Sequence, residues 1–206
     1  MNIQKRWLGL AIELQALSQA GLEYSRDRFD LERFERIREI SAEMVSLKTD
    51  LTPEKVYDIF CNESGYQTPK VDTRAAIIQD GKILLVQESN KTWSLPGGWC
   101  DVDQSVTENT IKEAREEAGL EITVDRLAAV LDRKKHNLPV YAYNICKFFF
   151  LCTAVGGEFV KNSETIDSGW FALGELPPLA EEKNNYEQIK LCFDASRDPN
   201  WVTVFD

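Results

Sequence analysis

Three glutamates, Glu113, Glu116 and Glu117, stand at positions i, i+3 and i+4 of one short stretch. On a helix that spacing places all three on a shared face, where like charges repel and weaken the helix. A hard divalent cation relieves the repulsion. Magnesium and manganese take oxygen ligands, and magnesium bridges carboxylates to phosphates while keeping part of its water shell. Upstream lies Pro96-Gly97-Gly98, a turn whose missing side chains let backbone carbonyls approach a bound ion. Taken alone, an acidic triplet reads better as a solvated helix face. The flanking residues change that balance.

The stretch that carries the triplet has both ends marked. Ser105-Val106-Thr107-Glu108 has the form of a capping box, in which the serine accepts from the first turn and the glutamate reaches back. Gly119 is the matching stop. Between them Thr107, Ile111, Ala114 and Ala118 fall on a second stripe that can face a core. A helix is therefore expected from about Ser105 to Ala118.

The pattern from Gly98 to Leu120 closely resembles the Nudix box: a glycine, a spacer, a glutamate, a second spacer, then Arg-Glu-aliphatic-any-Glu-Glu-any-Gly-aliphatic. Here the last part reads Lys112-Glu113-Ala114-Arg115-Glu116-Glu117-Ala118-Gly119-Leu120, and Trp93-Ser94-Leu95-Pro96-Gly97 resembles the usual approach. Two positions depart. Gln104 stands where the box has its first glutamate, and Lys112 where it has arginine. Lysine pairs with carboxylates without the planar fork that fixes geometry, and Gln104 brings no charge to an outer metal site.

The resemblance implies a Mg2+- or Mn2+-dependent hydrolase that cleaves the pyrophosphate of a nucleoside diphosphate linked to another group. Glu113, Glu116, Glu117 and the Gly97 carbonyl would hold the metal, with Glu113 also a candidate base. Glu164, in a late loop with Asn162 and Ser163, would be a further catalytic carboxylate, although a surface-loop glutamate is the commoner outcome. A helical N-terminal segment before such a domain is similar to a bacterial subgroup acting on CDP-choline or ADP-ribose. The first would yield CMP and phosphocholine. A noncatalytic nucleotide sensor is the rival class, favoured by Gln104 and Lys112 and opposed by the intact triplet.

Basic residues that can hold substrate phosphate are few. Arg133-Lys134-Lys135-His136 is the one dense basic cluster after the box, with Arg133 and Lys135 as candidates; it reads equally as a solvated turn. Arg74 and Lys147 lie in otherwise apolar strands, where a cation needs an anionic partner or a solvent-facing side. Trp99, Tyr141, Tyr143 and Trp170 can each stack on a base or fill a core.

The elements around these residues suggest an α+β domain over 67–206 behind an all-helical domain over 1–66. In the helical part, Ile3, Trp7, Leu10, Leu14 and Leu17 recur along one helical face, with Gly21 as a stop. Asp30 is placed to cap a second helix, and Thr52-Pro53-Glu54 opens a third. Beyond the linker Thr68-Pro69-Lys70, strands are expected at Arg74 to Ile78 and Lys82 to Gln87, joined by the hairpin signal Asp80-Gly81. Further strands follow at Trp93 to Leu95, Leu127 to Asp132, Asn144 to Thr153 and Gly169 to Ala172, with a last helix from Tyr186 to Phe193. The mixture predicts a Nudix-type mixed sheet flanked by helices.

Composition bounds the rest. A net charge of −10 argues against broad nucleic-acid binding, which needs a basic surface, but not against a small anionic substrate. No apolar run approaches the ~20 residues that cross a bilayer. Five cysteines without a Cys-x-x-Cys pair and one histidine speak against a disulfide framework or a zinc site and fit a reducing cytoplasm. Leu8 and Ile12 add apolar surface beside the first helical stripe, and so small a domain buries little by itself. A homodimer using these helices is expected.

Overall fold

The computed structural model describes residues 3–139, 141, 143–162 and 164–206, with side chains from residue 6 onward. The Ile3 side chain and Ser163, both part of the sequence reading, lie outside the described set. Two compact units divide the chain, Met1–Pro69 and Lys70–Asp206.

The first unit holds α1 (Ile3–Tyr24), α2 (Arg28–Ser46) and α3 (Pro53–Phe60). Two expectations are corrected here. Gly21 does not end α1, which runs to Tyr24. A Cβ on Gly21 would stand 2.5 Å from the Phe34 ring of α2, so glycine is there for helix contact. The N-cap of α2 is Asp27, whose carboxylate accepts from the Asp30 N–H at 3.0 Å. For α3 the structure agrees with the sequence: Thr52 caps and Pro53 opens the first turn. The side of α1 that is buried is small and polar: Ala11, Gln15, Ser18 and Gln19. The Ser41 hydroxyl of α2 donates to the Ala11 carbonyl at 2.8 Å, and the Gln19 amide donates to the Gly65 carbonyl at 2.9 Å. Leu10 and Leu17, from the predicted apolar stripe, are 45% and 59% exposed.

The second unit contains β1 (Lys70–Gln79), β2 (Lys82–Glu88), β3 (Trp93–Ser94), α4 (Val106–Ala118), β4 (Leu120–Asp132), α5 (Arg133–His136), β5 (Ile145–Gly157), β6 (Thr165–Phe171), α6 (Tyr186–Arg197) and β7 (Val204–Phe205). The seven strands form one mixed sheet in the order β3-β2-β1-β5-β4-β7, with β6 paired to β2. β1 and β5 are parallel, and Asp72 lies opposite Lys147. β1 and β2 form a hairpin whose Asp80 and Gly81 both have positive φ, 52° and 75°, as a type I′ turn requires.

Alternation along the strands builds two cores. Ala75, Ile77, Leu84, Val86, Phe150 and Cys152 face α4 through Ala114 and Ala118. Ala76, Ile83, Leu85, Phe149 and Leu151 face α6 through Ile189, Cys192 and Phe193. Helices therefore cover both sides of an α+β domain. Among the described residues, no helix is long and apolar enough to cross a membrane.

Candidate active site

Local sequence sets α4 firmly. Ser105 and Glu108 make the reciprocal capping box, and Gly119 closes the helix in the left-handed region at φ 68°. Asn109 donates to the Thr73 hydroxyl at 2.9 Å, tying the helix to β1. At the other end Asn162 donates to the Glu116 carbonyl and the Thr165 hydroxyl to the Glu117 carbonyl, both at 2.7 Å. Those bonds also hold the loop that carries Glu164, whose N–H donates to Asn162 Oδ1 at 2.9 Å.

The Pro96-Gly97-Gly98 segment runs along β1. Its Gly98 carbonyl accepts from Thr73 N at 2.9 Å and its Pro96 carbonyl from Ala75 N at 2.8 Å. Gly97 sits at φ +144°, and a Cβ there would come within 1.9 Å of the Thr73 oxygen. Only glycine fits this approach. The Gly97 N–H donates to Glu117 Oε2 at 2.8 Å, while no described donor takes the Gly97 carbonyl. At Gly98 an added Cβ would meet Glu113 Oε2 at 3.0 Å, so both glycines leave room beside the carboxylates.

These groups open onto a cavity of about 460 Å³. Gly97, Gly98, Glu113 and Glu117 line it, together with Asp72, Arg74, Arg133, Lys147 and Glu164. Seven of the nine site residues expected from sequence thus meet at one cavity, and two do not. Glu116 is about half-exposed and turns to Lys112 at 3.7 Å. Lys135 is also half-exposed and stands 4.0 Å from Asp206, outside the cavity. The basic run is one turn of helix rather than an open loop. His136 pairs with Asp206 at 2.5 Å, so only Arg133 of that run faces the site.

Sequence reasoning missed Asp72, Lys112 and Lys183 as cavity residues. Asp72 had a usable signal, since a residue two before Arg74 in a strand shares its face. Lys183 had none. Asp72 is buried and accepts from Arg74 Nε at 2.9 Å, Arg74 Nη2 at 2.5 Å and Lys147 Nζ at 2.8 Å. Burial alone would raise its carboxyl, but Arg74 and then Lys147 hold it below the usual range. Lys147 is pushed down to about 8, by burial first and by Arg74 second, against the pull of Asp72.

The helix carboxylates carry the opposite strain. Burial pushes Glu117 up to about 7, opposed by Arg74 and the Gly97 N–H. Burial likewise raises Glu113, against Lys112 at 3.3 Å. Lys112 is shared, since it also reaches Asp101 at 2.7 Å. Among the described residues no three acidic, His or Cys side chains already form a metal-ready cluster: Lys112 stands between Glu113 at 3.3 Å and Glu116 at 3.7 Å. The donor chemistry still fits a hard cation. Two carboxylates that burial pushes up stand beside glycines that leave open space, and the Gly97 carbonyl has no described donor.

An acidic helix face, a tight glycine turn and buried cations meet at one cavity. Residues 69–192 match the family described as the NUDIX domain, and residues 5–60 match a UDP-X-like, N-terminal oligomerisation domain. The chain is 39% identical over 207 residues to a Bacillus subtilis (strain 168) protein named putative ADP-ribose pyrophosphatase YjhB, covering 100% of both. It is similar to a crystal structure of an ADP-ribose pyrophosphatase from Streptococcus suis 89-1591, at 56% identity and TM-score 0.64, over 68% of this chain and 100% of that one. A UDP-X diphosphatase crystal structure matches at 35% identity and TM-score 0.64, over 97% and 98% of the two chains. The chain belongs to the Nudix hydrolase family and is a pyrophosphohydrolase of that family.

Proposed function

We propose that the enzyme hydrolyses a nucleoside diphosphate-X with a magnesium ion, or manganese in its place, held by Glu113, Glu116, Glu117 and the Gly97 carbonyl. The observation that carries this is the Gly97–Glu117 contact, which sets a buried carboxylate beside a carbonyl without a donor. When bound, such a cation neutralises the pyrophosphate and activates the attacking water. Arg74 and Lys147, both at the cavity wall, are the groups for the substrate phosphates. Glu113 and Glu164 are the cavity carboxylates for taking the water's proton. One P–O bond of the anhydride breaks, giving a nucleoside monophosphate and a phosphorylated X.

For X we propose choline, with CDP-choline giving CMP and phosphocholine. Glu164 and Glu182 line the cavity. A carboxylate such as Glu182 can pair with a cationic X, and ADP-ribose carries no cation. ADP-ribose is the second reading, supported by the names of the Bacillus and Streptococcus relatives. The test is kcat/KM for both substrates at one magnesium concentration. CDP-choline is expected to be the faster by about tenfold, the effect of one ion-pair-sized contact. A clear preference for ADP-ribose sinks the choline assignment and leaves the reaction class standing.

We also propose a homodimer through the N-terminal helices. Leu10, Leu17, Phe29 and Leu47 are exposed apolar side chains of this unit, and the unit matches an N-terminal oligomerisation domain over residues 5–60. Light scattering should give twice 23.5 kDa, and Leu17→Glu should shift the protein towards monomer. A monomer mass for the parent protein at micromolar concentration refutes the dimer.

A further inference from the structure

Arg133 is 2% exposed and lines the cavity. Its Nε donates to the Glu182 carbonyl at 3.2 Å and its Nη1 to the Pro139 carbonyl at 2.6 Å. One face of the guanidinium lies 3.5 Å from the Tyr141 ring centroid. The Nη2 group is buried and has no hydrogen-bond partner. Among the described residues Arg133 therefore has no carboxylate in an ion pair and a donor that no protein acceptor uses. Leaving a buried donor unmet is costly, and in an enzyme cavity the missing acceptor belongs to the ligand.

Register places this donor. Asp132, the residue before it, pairs with Cys146 of β5, and β5 pairs in turn with β1. Arg133 thus lies two strands from β1, about 10 Å across the sheet. Arg133 and Trp99 line the same cavity, and Trp99 bridges to Asp72, two residues from Arg74. A row of rings connects the two: Trp99 to Tyr143 at 6.1 Å and Tyr143 to Tyr141 at 5.8 Å. Trp99 is 47% exposed, so its face is free to receive a planar group.

We infer that Arg133 reads the nucleobase: its free Nη2–H donates to a carbonyl oxygen of a pyrimidine ring that stacks on Trp99. A phosphate is the poorer match for three reasons. Arginine holds phosphate best through a two-pronged contact, and two of its three nitrogens are already given to backbone carbonyls. Arg74 and Lys147 stand nearer the carboxylate end and supply phosphate with cations. The aromatic row leads to Arg133, and rings are what aromatic faces stack. Cytosine and uracil both present a carbonyl oxygen beside the glycosidic bond; adenine has none. This deepens the pyrophosphohydrolase reading by naming the residue that selects the pyrimidine base, and it rests on that reading only for the presence of a nucleotide.

The test is calorimetric binding of CMP, UMP and AMP at one fixed magnesium concentration, which needs no turnover. CMP and UMP should bind the parent enzyme at least about tenfold more tightly than AMP, the worth of one charge-assisted hydrogen bond. Arg133→Lys lacks the fork and should weaken CMP and UMP by about tenfold while AMP and inorganic pyrophosphate change by less than about twofold. AMP binding as tightly as CMP in the parent overturns the inference, as does a variant that loses pyrophosphate and all three nucleotides alike. If Arg133→Lys does not fold, Arg133→Gln is read in its place, with the same selective loss of CMP and UMP expected and an unchanged CMP-to-AMP ratio overturning the inference. Should binding follow these expectations while no nucleoside diphosphate-X is hydrolysed, the pyrophosphohydrolase reading fails and base reading stands.

Discussion

Glu117→Gln should lower magnesium-dependent turnover by at least about a hundredfold, more than the loss of a residue that merely supports a metal ligand. The fold should survive. Glutamine keeps the shape and an oxygen that can still accept from the Gly97 N–H, now at 2.8 Å, but it brings no charge to a hard cation. Stability offers a second readout that activity does not. Burial pushes Glu117 up to about 7 from 4.5. In the metal-free protein, the folded state therefore holds this proton more tightly than the unfolded chain. Stability from the protonated form is complete below about 4.5 and is lost as pH rises through about 7. Glutamine does not titrate, so in chelator the variant should melt higher than the parent at about pH 8 and differ least near pH 4. Parental turnover in the variant would remove Glu117 from the metal site. A lower melting point in chelator at pH 8 would show that its charge is not strained by burial.

The carboxylate helix was legible because everything that fixes it is local. Ser105, Glu108 and Gly119 set its ends, and the i, i+3, i+4 spacing aligns its acids whatever the surroundings. Glu116 shows the limit of that logic: it shares the face but is about half-exposed and pairs with Lys112 at 3.7 Å instead of lining the cavity. The Asp80-Gly81 turn was equally local, since two consecutive positive φ angles demand such residues. β4 was read too short, from Leu127, because its ladder to β5 shifts register near Glu121, Val124 and Leu127. Each bulge breaks the two-residue alternation by which a strand is recognised. For α1 the apolar stripe was a true feature of the sequence. Burial within the unit nevertheless goes to Ala11, Gln15 and Ser18, where short side chains let α2 come close. The fate of Lys135 and His136 depended on Asp206, at the far end of the chain. No window around residues 133–136 contains that information. Asp72 falls between these cases: its face was readable, but its second cation arrives from β5 through a long-range pairing.

Asp72→Asn should cost about 3–5 kcal/mol of stability, the usual result of removing one partner from a buried ion pair. The side chains of Asp72, Arg74 and Lys147 are 8%, 3% and 2% exposed, so solvent cannot take over the lost charge. Asparagine keeps one acceptor oxygen but turns an amide N–H₂ toward a cation. Two buried positive charges would then face each other with Arg133 beyond them. Lys147 is the group that can yield. Burial and Arg74 already push it down to about 8 in the parent, against 10.5. With a depressed lysine, folding is disfavoured by the charged form at low pH, and stability returns as pH rises through the folded value. Losing Asp72 moves that value lower still. The deficit of the variant should therefore be largest near pH 6 and shrink by about pH 9, where Lys147 is neutral. Urea midpoints at the two pH values measure it. Combining Asp72→Asn with Lys147→Met removes one of the two cations and should recover much of the loss at pH 6. Substrate hydrolysis should stay impaired, because a phosphate ligand has gone. If Asp72→Asn keeps the parental midpoint at pH 6, or the second substitution fails to restore it, then Asp72 does not hold this cluster together by charge.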